Sequence, residues 1–275
     1  MNLTWTHSEI TDGIQRALAE DIGSGDITTN TCIREDARSS GLFLAREPLV
    51  VAGVELLAEL YADEQLEILT ESGASVESEV ILARVSGSAR RLLTLERTAL
   101  NFLQRLSGIA TLAAQFVKTI DGTGCEVLDT RKTTPGLRRL EKLAAQAGGA
   151  KNHRIGLHDA VLIKNNHITA AGGVGAALEC FRDSDLPVEI EVRSFAELED
   201  AMIAGARHVL LDNFTASDVR AAMAKMAGRT VIEISGGITL ENVREYAEAG
   251  ANYVSSGAIT HSARAVDISF RVERE

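Results

Sequence analysis

The stretch that decides the fold is VEIEVRSFAELEDAMIAGARHVLLDNF, residues 188–214. It opens with a short run rich in valine and isoleucine, continues with apolar residues at helical spacing, and closes with a second apolar run. A strand, a helix and a second strand in this order form the unit from which parallel β-sheets are built. The stretch therefore predicts a βα repeat.

The same organisation extends from about residue 121 to the end of the chain. Glu191, Asp212, Ser235 and Ser256 follow one another at intervals of 21, 23 and 21 residues, the length of a strand plus a helix. The strands are nearly continuous in apolar residues, as strands covered on both faces are. Six strands, where the usual barrel has eight, leave a six-stranded barrel, two unrecognised strands or an open sheet. The candidate strands are EVLDTRK, AVLIKNN, VEIEVRS, HVLLDNF, TVIEISGGI and YVSSGAIT.

A different pattern occupies residues 40–90. The runs GLFLARE, LEILTE and EVILARVSG are short and partly alternating, and the helical piece GVELLAELYADE lies among them. This pattern predicts a small mixed α/β domain, and the segment contains no cluster of catalytic residue types.

Helices are predicted on both sides of that domain. Residues 8–20 have an amphipathic pattern with Ser8 as the N-cap, and the glycines and acids of residues 20–29 predict a surface loop. Residues 91–120 form a long apolar stripe, and Gly108 is the expected position of a kink or break.

Composition excludes several classes of function. The chain has 275 residues, 45% of them hydrophobic and 24% charged, which is typical of a soluble globular protein. The net charge of -11 and the 4% aromatic content disfavour nucleic-acid binding. Three widely spaced cysteines show neither metal-ligand spacing nor a disulfide framework, and no secretory or membrane-spanning segment is visible. These features predict a cytoplasmic protein.

Cations at the strand ends run against this acidic background. Arg131 and Lys132 follow one candidate strand, Lys164 follows the next, and His153 and Arg154 lie in the glycine-rich loop between them. In α/β barrels and open parallel sheets the active site lies at the carboxyl ends of the strands. The pattern predicts a pocket for a small molecule with several negative charges.

The helix charges that follow Lys132 are interpreted differently. Arg138 flanks the expected pocket, whereas Arg139 and Lys142 are interpreted as ordinary solvated charges on a helix surface.

Acids and glycines complete the set of strand-end residues. Glu191 and Asp212 could bind Mg²⁺ or stabilise a developing cation, and the alternative is a pair of acids in internal salt bridges. SGGIT (235–239) and SSGAIT (255–260) end the last two strands, where backbone N–H groups can bind a phosphate. No GxGxxG or GxxxxGK[ST] motif is present, which disfavours a dinucleotide site and a P-loop. The residues thus predict an α/β-barrel enzyme for small molecules rich in phosphate and carboxylate.

Nine motifs spread along the chain carry a family resemblance: EDIGSGDITT, ERTALNFLQRLSGIAT, DTRKTTPGLRRLEK, NHRIGL, LIKNNH, EIEV, LLDN, SGGIT and GAITHSA. In these motifs the chain resembles the quinolinate phosphoribosyltransferases, also called carboxylating nicotinate-nucleotide pyrophosphorylases. This resemblance implies an N-terminal α/β sandwich with a connecting helix over residues 1–110, and an atypical α/β barrel with few strands over residues 111–275.

The resemblance also implies a reaction. Members of this family join quinolinate to phosphoribosyl pyrophosphate (PRPP), release pyrophosphate and carbon dioxide, and yield nicotinate mononucleotide for de novo NAD biosynthesis. Two alternatives stay open. One is a paralogue of the same fold found with molybdate-transport systems, and the other is a non-catalytic barrel that binds phosphorylated metabolites.

Site residues follow from the resemblance, residue by residue. It implies Mg²⁺ as the cofactor and at least a homodimer, because one arginine reaches the active site of the neighbouring subunit. The implied quinolinate ligands are Arg131, His153, Arg154 and Lys164, with Arg97 from the second subunit. The implied catalytic residues, which face PRPP and Mg²⁺, are Lys132, Glu191 and Asp212. The implied 5′-phosphate ligands are Ser235, Gly236, Gly237, Gly257 and Ala258.

The chain departs from the family pattern beside one of these residues. The family usually has Lys-Asp-Asn-His where this chain has Lys164-Asn165-Asn166-His167. Asn165 therefore removes a negative charge next to Lys164.

Overall fold

The structure is a computed structural model that describes residues 3–226, 228 and 230–273. It contains two compact units, and each is assembled from separate segments of the chain. The predicted domain ranges, 1–110 and 111–275, stay a prediction. The first unit comprises the chain up to residue 114, residues 133–149 and the chain from residue 259, and the second comprises residues 115–132 and 150–258.

The helices and strands are numbered here in chain order. The elements up to the long helix are α1 (Ser8–Ile22), α2 (Ile27–Cys32), β1 (Arg38–Ala45), β2 (Leu49–Val50), α3 (Leu56–Leu60), β3 (Gln65–Ile68), β4 (Ser75–Val76), β5 (Ile81–Ser88) and α4 (Ala89–Thr119). The later elements are β6 (Glu126–Leu128), α5 (Arg138–Ala147), β7 (Val161–Ile163), α6 (Asn165–Ala171), α7 (Val174–Glu179), β8 (Val188–Val192), α8 (Phe195–Ile203), β9 (His208–Asp212), α9 (Ala216–Met226), β10 (Val231–Ser235), α10 (Val243–Glu248), β11 (Tyr253–Ser255), α11 (Ala258–His261) and β12 (Ile268–Glu273).

The second unit contains a six-stranded parallel sheet in the order β6-β11-β10-β9-β8-β7. The prediction of six parallel strands, each of the first five followed by a helix, is confirmed. Within the described residues this sheet has no further strand, so the possibility of two unrecognised strands is excluded. β6 and β7 are its outer strands.

Strand register places predicted site residues of neighbouring strands side by side at the carboxyl ends of the strands. Ser235 pairs with Asp212, and Glu191 pairs with Leu210 on the same strand as Asp212. Ile190 and Val192, the neighbours of Glu191 along β8, are fully buried. Since side chains alternate along a strand, Glu191 points to the face opposite to these two apolar residues.

The first unit contains a four-stranded antiparallel sheet in the order β12-β1-β5-β3, which confirms the mixed α/β prediction for residues 40–90. The outer strand β12 lies at the end of the sequence and was not predicted. Phe270 on β12 pairs with Phe43 on β1, and their ring centroids are 4.8 Å apart. A Cβ atom on Gly41 would approach the Phe270 ring to 2.1 Å, so the packing of β12 requires glycine there.

Three local predictions near the N-terminus and in the long helix are wrong. α1 begins at Ser8, but its N-cap is His7, whose Nδ1 accepts a hydrogen bond from the Glu9 N–H. The expected loop at residues 20–29 contains the start of α2, capped by the Asp26 carboxylate. α4 continues through Gly108, so the predicted break is absent, whereas a kink there stays a prediction. Glycine is needed at this position because a Cβ would lie 1.9 Å from the Arg264 carbonyl oxygen.

The interpretation of two helix charges on α5 as solvated is also wrong. Lys142 is fully buried. Arg139 is largely covered, and its Nε lies 2.6 Å from a Glu9 carboxylate oxygen. The apolar and polar spacing of α5 does not reveal this, because both of its faces are covered in the first unit.

The described residues contain no helix that combines the length and the apolar character needed to cross a membrane. The three cysteines are free thiols, with Cys125 buried and Cys32 and Cys180 exposed.

Candidate active site

A pocket at the carboxyl ends of the parallel strands lies wholly within the second unit. We call it the strand-end pocket. Every strand of the six contributes to its lining, either from its last residues or from the residues that follow. The pocket is lined by Thr130, Arg131, Lys132, His153, Arg154, Leu162, Lys164, Glu191, Leu210, Asp212, Glu233, Ser235 and Ser255. Eight predicted site residues are thus brought together.

Two arginines in this pocket have buried donor groups that are available to bind an anion. The Nε atoms of Arg131 and Arg154 are buried, and neither has a hydrogen-bond partner among the described residues. Arg154 donates from Nη1 to the Ala160 carbonyl at 3.1 Å. Burial, and then the nearby charge of Arg131, lowers the pKa of the Arg154 guanidinium. Two neighbouring cations with buried unused donors are costly on their own, and a ligand with carboxylates would satisfy both.

Asp129 fixes the loop that carries His153 and Arg154. It is fully buried, and its carboxylate accepts hydrogen bonds from the His153 N–H at 2.8 Å and from Asn152 Nδ2 at 2.7 Å. Asp129 is not among the predicted site residues. The sequence signal that could have identified it is the position of this acid, directly between the apolar end of a strand and a run of cations.

Both ring nitrogens of His153 form hydrogen bonds within the protein. Its Nδ1 accepts a hydrogen bond from the Arg154 N–H at 2.7 Å, so this nitrogen carries no proton in the arrangement described. The proton of the neutral ring is therefore assigned to Nε2, which donates to Glu189 Oε2 at 3.1 Å. The predicted role of His153 as a quinolinate ligand stays a prediction.

Glu189 and Glu233 lie beneath His153, and we call them the buried pair. Glu233 Oε2 is 3.6 Å from His153 Nε2, and both Glu233 carboxylate oxygens are without a hydrogen-bond partner among the described residues. Burial first, and then the charge of Glu189, raises the pKa of Glu233 to about 8. Glu233 is therefore protonated at neutral pH, which removes one charge from the interior.

His208 is the fourth member of this buried cluster. Its Nε2 lies 3.1 Å from Glu189 Oε1 without the alignment of a hydrogen bond, and burial lowers its pKa. This cluster was not predicted, although its sequence signal is a glutamate inside each of two apolar strands, Glu189 in VEIEV and Glu233 in VIEIS.

Glu191 and Asp212 lie nearer the carboxyl ends of the strands, and we call them the strand-end pair. Arg193 bridges them: its Nη2 is 3.3 Å from Glu191 Oε1, and its Nε is 3.2 Å from Asp212 Oδ2. The internal salt bridge considered as an alternative is therefore present. One guanidinium in contact with both carboxylates also places the two acids side by side, and carboxylate oxygens are ligands that Mg²⁺ prefers.

The first glycine-rich loop depends on Gly236. Gly236 and Gly237 have φ values of 96° and 63°, in the left-handed region that favours glycine. A Cβ on Gly236 would lie 2.2 Å from Asn213 Oδ1, and Asn213 itself adopts a φ of 61°. Asn213, another residue that was not selected, therefore shapes the loop after Ser235.

The second loop lies against the first. Ser256 Oγ donates a hydrogen bond to the Ile238 carbonyl at 2.9 Å, and Gly257 is buried just before Ala258 begins α11. Their predicted role in phosphate binding, like that of Gly236 and Gly237, stays a prediction.

The remaining predicted cations are exposed. Lys132 and Lys164 extend from the ends of β6 and β7. Arg97 is exposed on α4 in the first unit. Its predicted role across a subunit interface is not tested by a single chain.

Comparison with known proteins gives one consistent family. Residues 26–107 match the N-terminal domain of quinolinate phosphoribosyl transferase, and residues 109–271 match its C-terminal domain. The nicotinate-nucleotide pyrophosphorylase (carboxylating) of Mycobacterium leprae is 41% identical over 269 residues, which cover 94% of this chain and 95% of that protein.

Further similar proteins support the same assignment. The quinolinate phosphoribosyltransferase (decarboxylating) 2a of Nicotiana tabacum is 38% identical, with 95% of this chain and 82% of that protein covered. The structure of the nicotinate-nucleotide pyrophosphorylase from Francisella tularensis superposes with a TM-score of 0.93 at 38% identity, covering 97% and 96% of the two chains. The chain belongs to the quinolinate phosphoribosyltransferase family, the carboxylating nicotinate-nucleotide pyrophosphorylases.

Proposed function

We propose that the strand-end pocket is where this phosphoribosyltransferase joins quinolinate and PRPP. The products are nicotinate mononucleotide, pyrophosphate and carbon dioxide. The observation that carries the assignment of the pocket is the combination of two buried, partnerless arginine Nε atoms with two carboxylates at one opening. The arginines suit a dicarboxylate, and the acids suit a reaction in which positive charge develops on a ribose.

Quinolinate binds on the Arg131 side of the pocket. Each guanidinium offers a planar fork of donors that matches a carboxylate, so Arg131 and Arg154 hold the two carboxylates of the base. Lys164 adds a mobile positive charge. The hydrogen bonds that the Asp129 carboxylate accepts keep this wall in place, which limits the reorganisation needed on binding.

PRPP binds on the side of Lys132, Glu191 and Asp212. The transition state resembles an oxocarbenium ion, so carboxylates beside the anomeric carbon stabilise it while Lys132 stabilises the departing pyrophosphate. Mg²⁺, when bound, supplies charge neutralisation for the pyrophosphate, and Glu191 and Asp212 are the residues that would hold it.

The 5′-phosphate binds at the two glycine-rich loops. Ser235 already lines the pocket, and Gly236 and Gly237 have left-handed backbones that present N–H groups to an anion. The second loop contributes Gly257 and Ala258.

The enzyme assembles at least as a homodimer with shared active sites, in the cytoplasm. Arg97 of the partner subunit completes the quinolinate site. Mixing inactive Arg97→Ala and Lys132→Ala proteins tests this, because heterodimers would contain one intact site and regain activity. Absence of recovery despite demonstrated subunit exchange would count against shared sites.

A substrate assay tests the assignment of the pocket. Protein, Mg²⁺, PRPP and quinolinate should yield pyrophosphate and nicotinate mononucleotide, and replacing quinolinate with nicotinate should abolish turnover. Arg131→Met should raise the KM for quinolinate far more than the KM for PRPP, since it removes only a base contact. Arg244→Met is the matched control, because Arg244 is an exposed arginine on α10 paired with Glu248. Equal KM effects of the two variants would overturn the assignment.

A further inference from the structure

Arg193 is a basic residue at the site to which the function above assigns no role. It directly follows β8, and its guanidinium contacts the Glu191 carboxylate at 3.3 Å and the Asp212 carboxylate at 3.2 Å. The two acids are largely covered, with side chains 11% and 17% exposed, whereas the Arg193 side chain is 50% exposed. The guanidinium thus lies over the carboxylates on their solvent side.

The Arg193 backbone is fixed, although its side chain is not enclosed. The Arg193 N–H donates to Glu197 Oε2 at 2.7 Å, and the Glu197 N–H donates to Ser194 Oγ at 3.2 Å. This reciprocal pair caps the first turn of α8 and holds the chain at the end of β8. A long side chain that starts from a fixed backbone and is half exposed can leave the acids without disturbing the fold.

We propose that Arg193 is the resident counter-ion of Glu191 and Asp212 and competes with a divalent cation for their oxygens. The inference rests on the proposed function, in which the same two acids hold Mg²⁺. A divalent ion in contact with both carboxylates would lie within a few ångströms of the guanidinium, and the two positive charges would repel each other. The ion therefore binds only when Arg193 moves away.

This competition favours entry of the metal together with a polyanion. A metal ion that arrives alone must displace Arg193 into solvent. A metal ion that arrives on a diphosphate brings phosphate oxygens that the released guanidinium can bind as a planar fork. Arg193 thereby disfavours the metal-only state and couples occupation of the acids to binding of the phosphoribosyl donor.

Direct Mn²⁺ binding to the substrate-free protein tests the proposal. Free Mn²⁺ is measured by electron paramagnetic resonance during titration of the wild type, Arg193→Gln and Arg193→Lys. Arg193→Gln should bind Mn²⁺ at least about tenfold more tightly than the wild type, because one repelling charge is removed. Arg193→Lys retains the charge and should stay within about threefold of the wild type. Equal affinities of the wild type and Arg193→Gln would overturn the proposal.

Two further variants assign the effect to this position. Arg244→Gln removes the same charge from an exposed pair on α10 and should leave Mn²⁺ affinity unchanged. Adding Glu191→Gln and Asp212→Asn to Arg193→Gln should abolish the gain. A gain that persists in that triple variant would show that Mn²⁺ binds elsewhere, and would also overturn the proposal.

The outcome separates this inference from the proposed function. The Mn²⁺ titration contains no substrate, so it reports on Arg193 and the two acids even if the wild type fails to convert quinolinate. Conversely, the wild type could make nicotinate mononucleotide while Arg193→Gln binds Mn²⁺ with the same affinity as the wild type. That result would support the proposed function and overturn the inference about Arg193.

Discussion

Two pairs of acids on the parallel strands of the second unit occupy opposite environments, although one member of each pair lies on β8 only two residues from the other. The strand-end pair, Glu191 and Asp212, is in contact with the half-exposed guanidinium of Arg193. The buried pair, Glu189 and Glu233, is surrounded by His153 and His208 and is almost completely shielded from water. Glu189 and Glu191 even share the strand β8.

The difference shows how position along a strand sets the chemistry of a carboxylate. Two residues along a strand keep a side chain on the same face but shift it by roughly 6–7 Å. At the strand end the two acids contact a half-exposed guanidinium. Deeper in the sheet, Glu233 is shielded from water, and this desolvation favours its protonated form.

The largest expected effect comes from removing the strand-end pair. Glu191→Ala or Asp212→Ala should lower the rate by about 10²–10³, the usual loss when one preorganised charge partner of a transition state is removed. Lys132→Ala should lower it to a similar extent. The free energy of unfolding should change by only about 1 kcal/mol, since the Arg193 partner is half exposed and can return to solvent when its acid is removed. Steady-state kinetics and urea unfolding on the same preparations measure both quantities.

Glu248→Ala, which removes an exposed acid on α10, is the matched control and should leave both quantities unchanged. A strand-end variant that retains activity within about threefold of the parent would not belong to the catalytic set.

Removing an acid of the buried pair should instead affect mainly the free energy of unfolding. Glu189→Ala leaves the Nε2 donor of His153 without its acceptor and opens a cavity, so the free energy of unfolding should fall by about 3 kcal/mol. Urea unfolding at pH 7 measures this loss. If Glu189→Ala instead lost activity with unchanged stability, Glu189 would function like the strand-end pair and the distinction between the pairs would fail.

The parallel sheet could be predicted because its signal is local and repeated. Each strand is a short apolar run, each is followed by a helix, and the spacing recurs. β12 could not be predicted in the same way, because its outer face is exposed and its pairing partner β1 lies more than two hundred residues earlier. α2 was missed because its residues, ITTNTC, have low helix propensity, and the helix depends on the Asp26 cap.

The candidate site shows the same limit. Strand-end residues such as Arg131, Lys164 and Glu191 could be selected because parallel strands bring their carboxyl ends together. Arg193 could not be assigned a contact from sequence, since an arginine at the start of a helix is usually solvated. Glu233 lies inside an apolar strand, and its raised pKa follows from its own burial in the fold and then from the nearby charge of Glu189.

The smallest effect, and the most specific to the buried pair, is a change in the pH dependence of stability. The folded-state pKa of Glu233 is about 8, whereas an exposed glutamate has an ordinary value of 4.5. The native protein therefore holds a proton that the unfolded chain releases as the pH rises through the range between these values. The stability that Glu233 contributes is fully present below about pH 4.5 and is lost by about pH 8.

Glu233→Gln should remove this dependence, because the amide resembles the protonated acid in shape and cannot ionise in either state. Relative to the variant, the wild type should lose roughly 1 kcal/mol of unfolding free energy per pH unit between pH 5 and pH 8. Urea unfolding of both proteins at several pH values measures the difference, and groups that titrate alike in both proteins cancel. Parallel stability curves would mean that Glu233 is ionised in the folded protein. The buried pair would then need a cation, as the strand-end pair does, and the contrast between them would disappear.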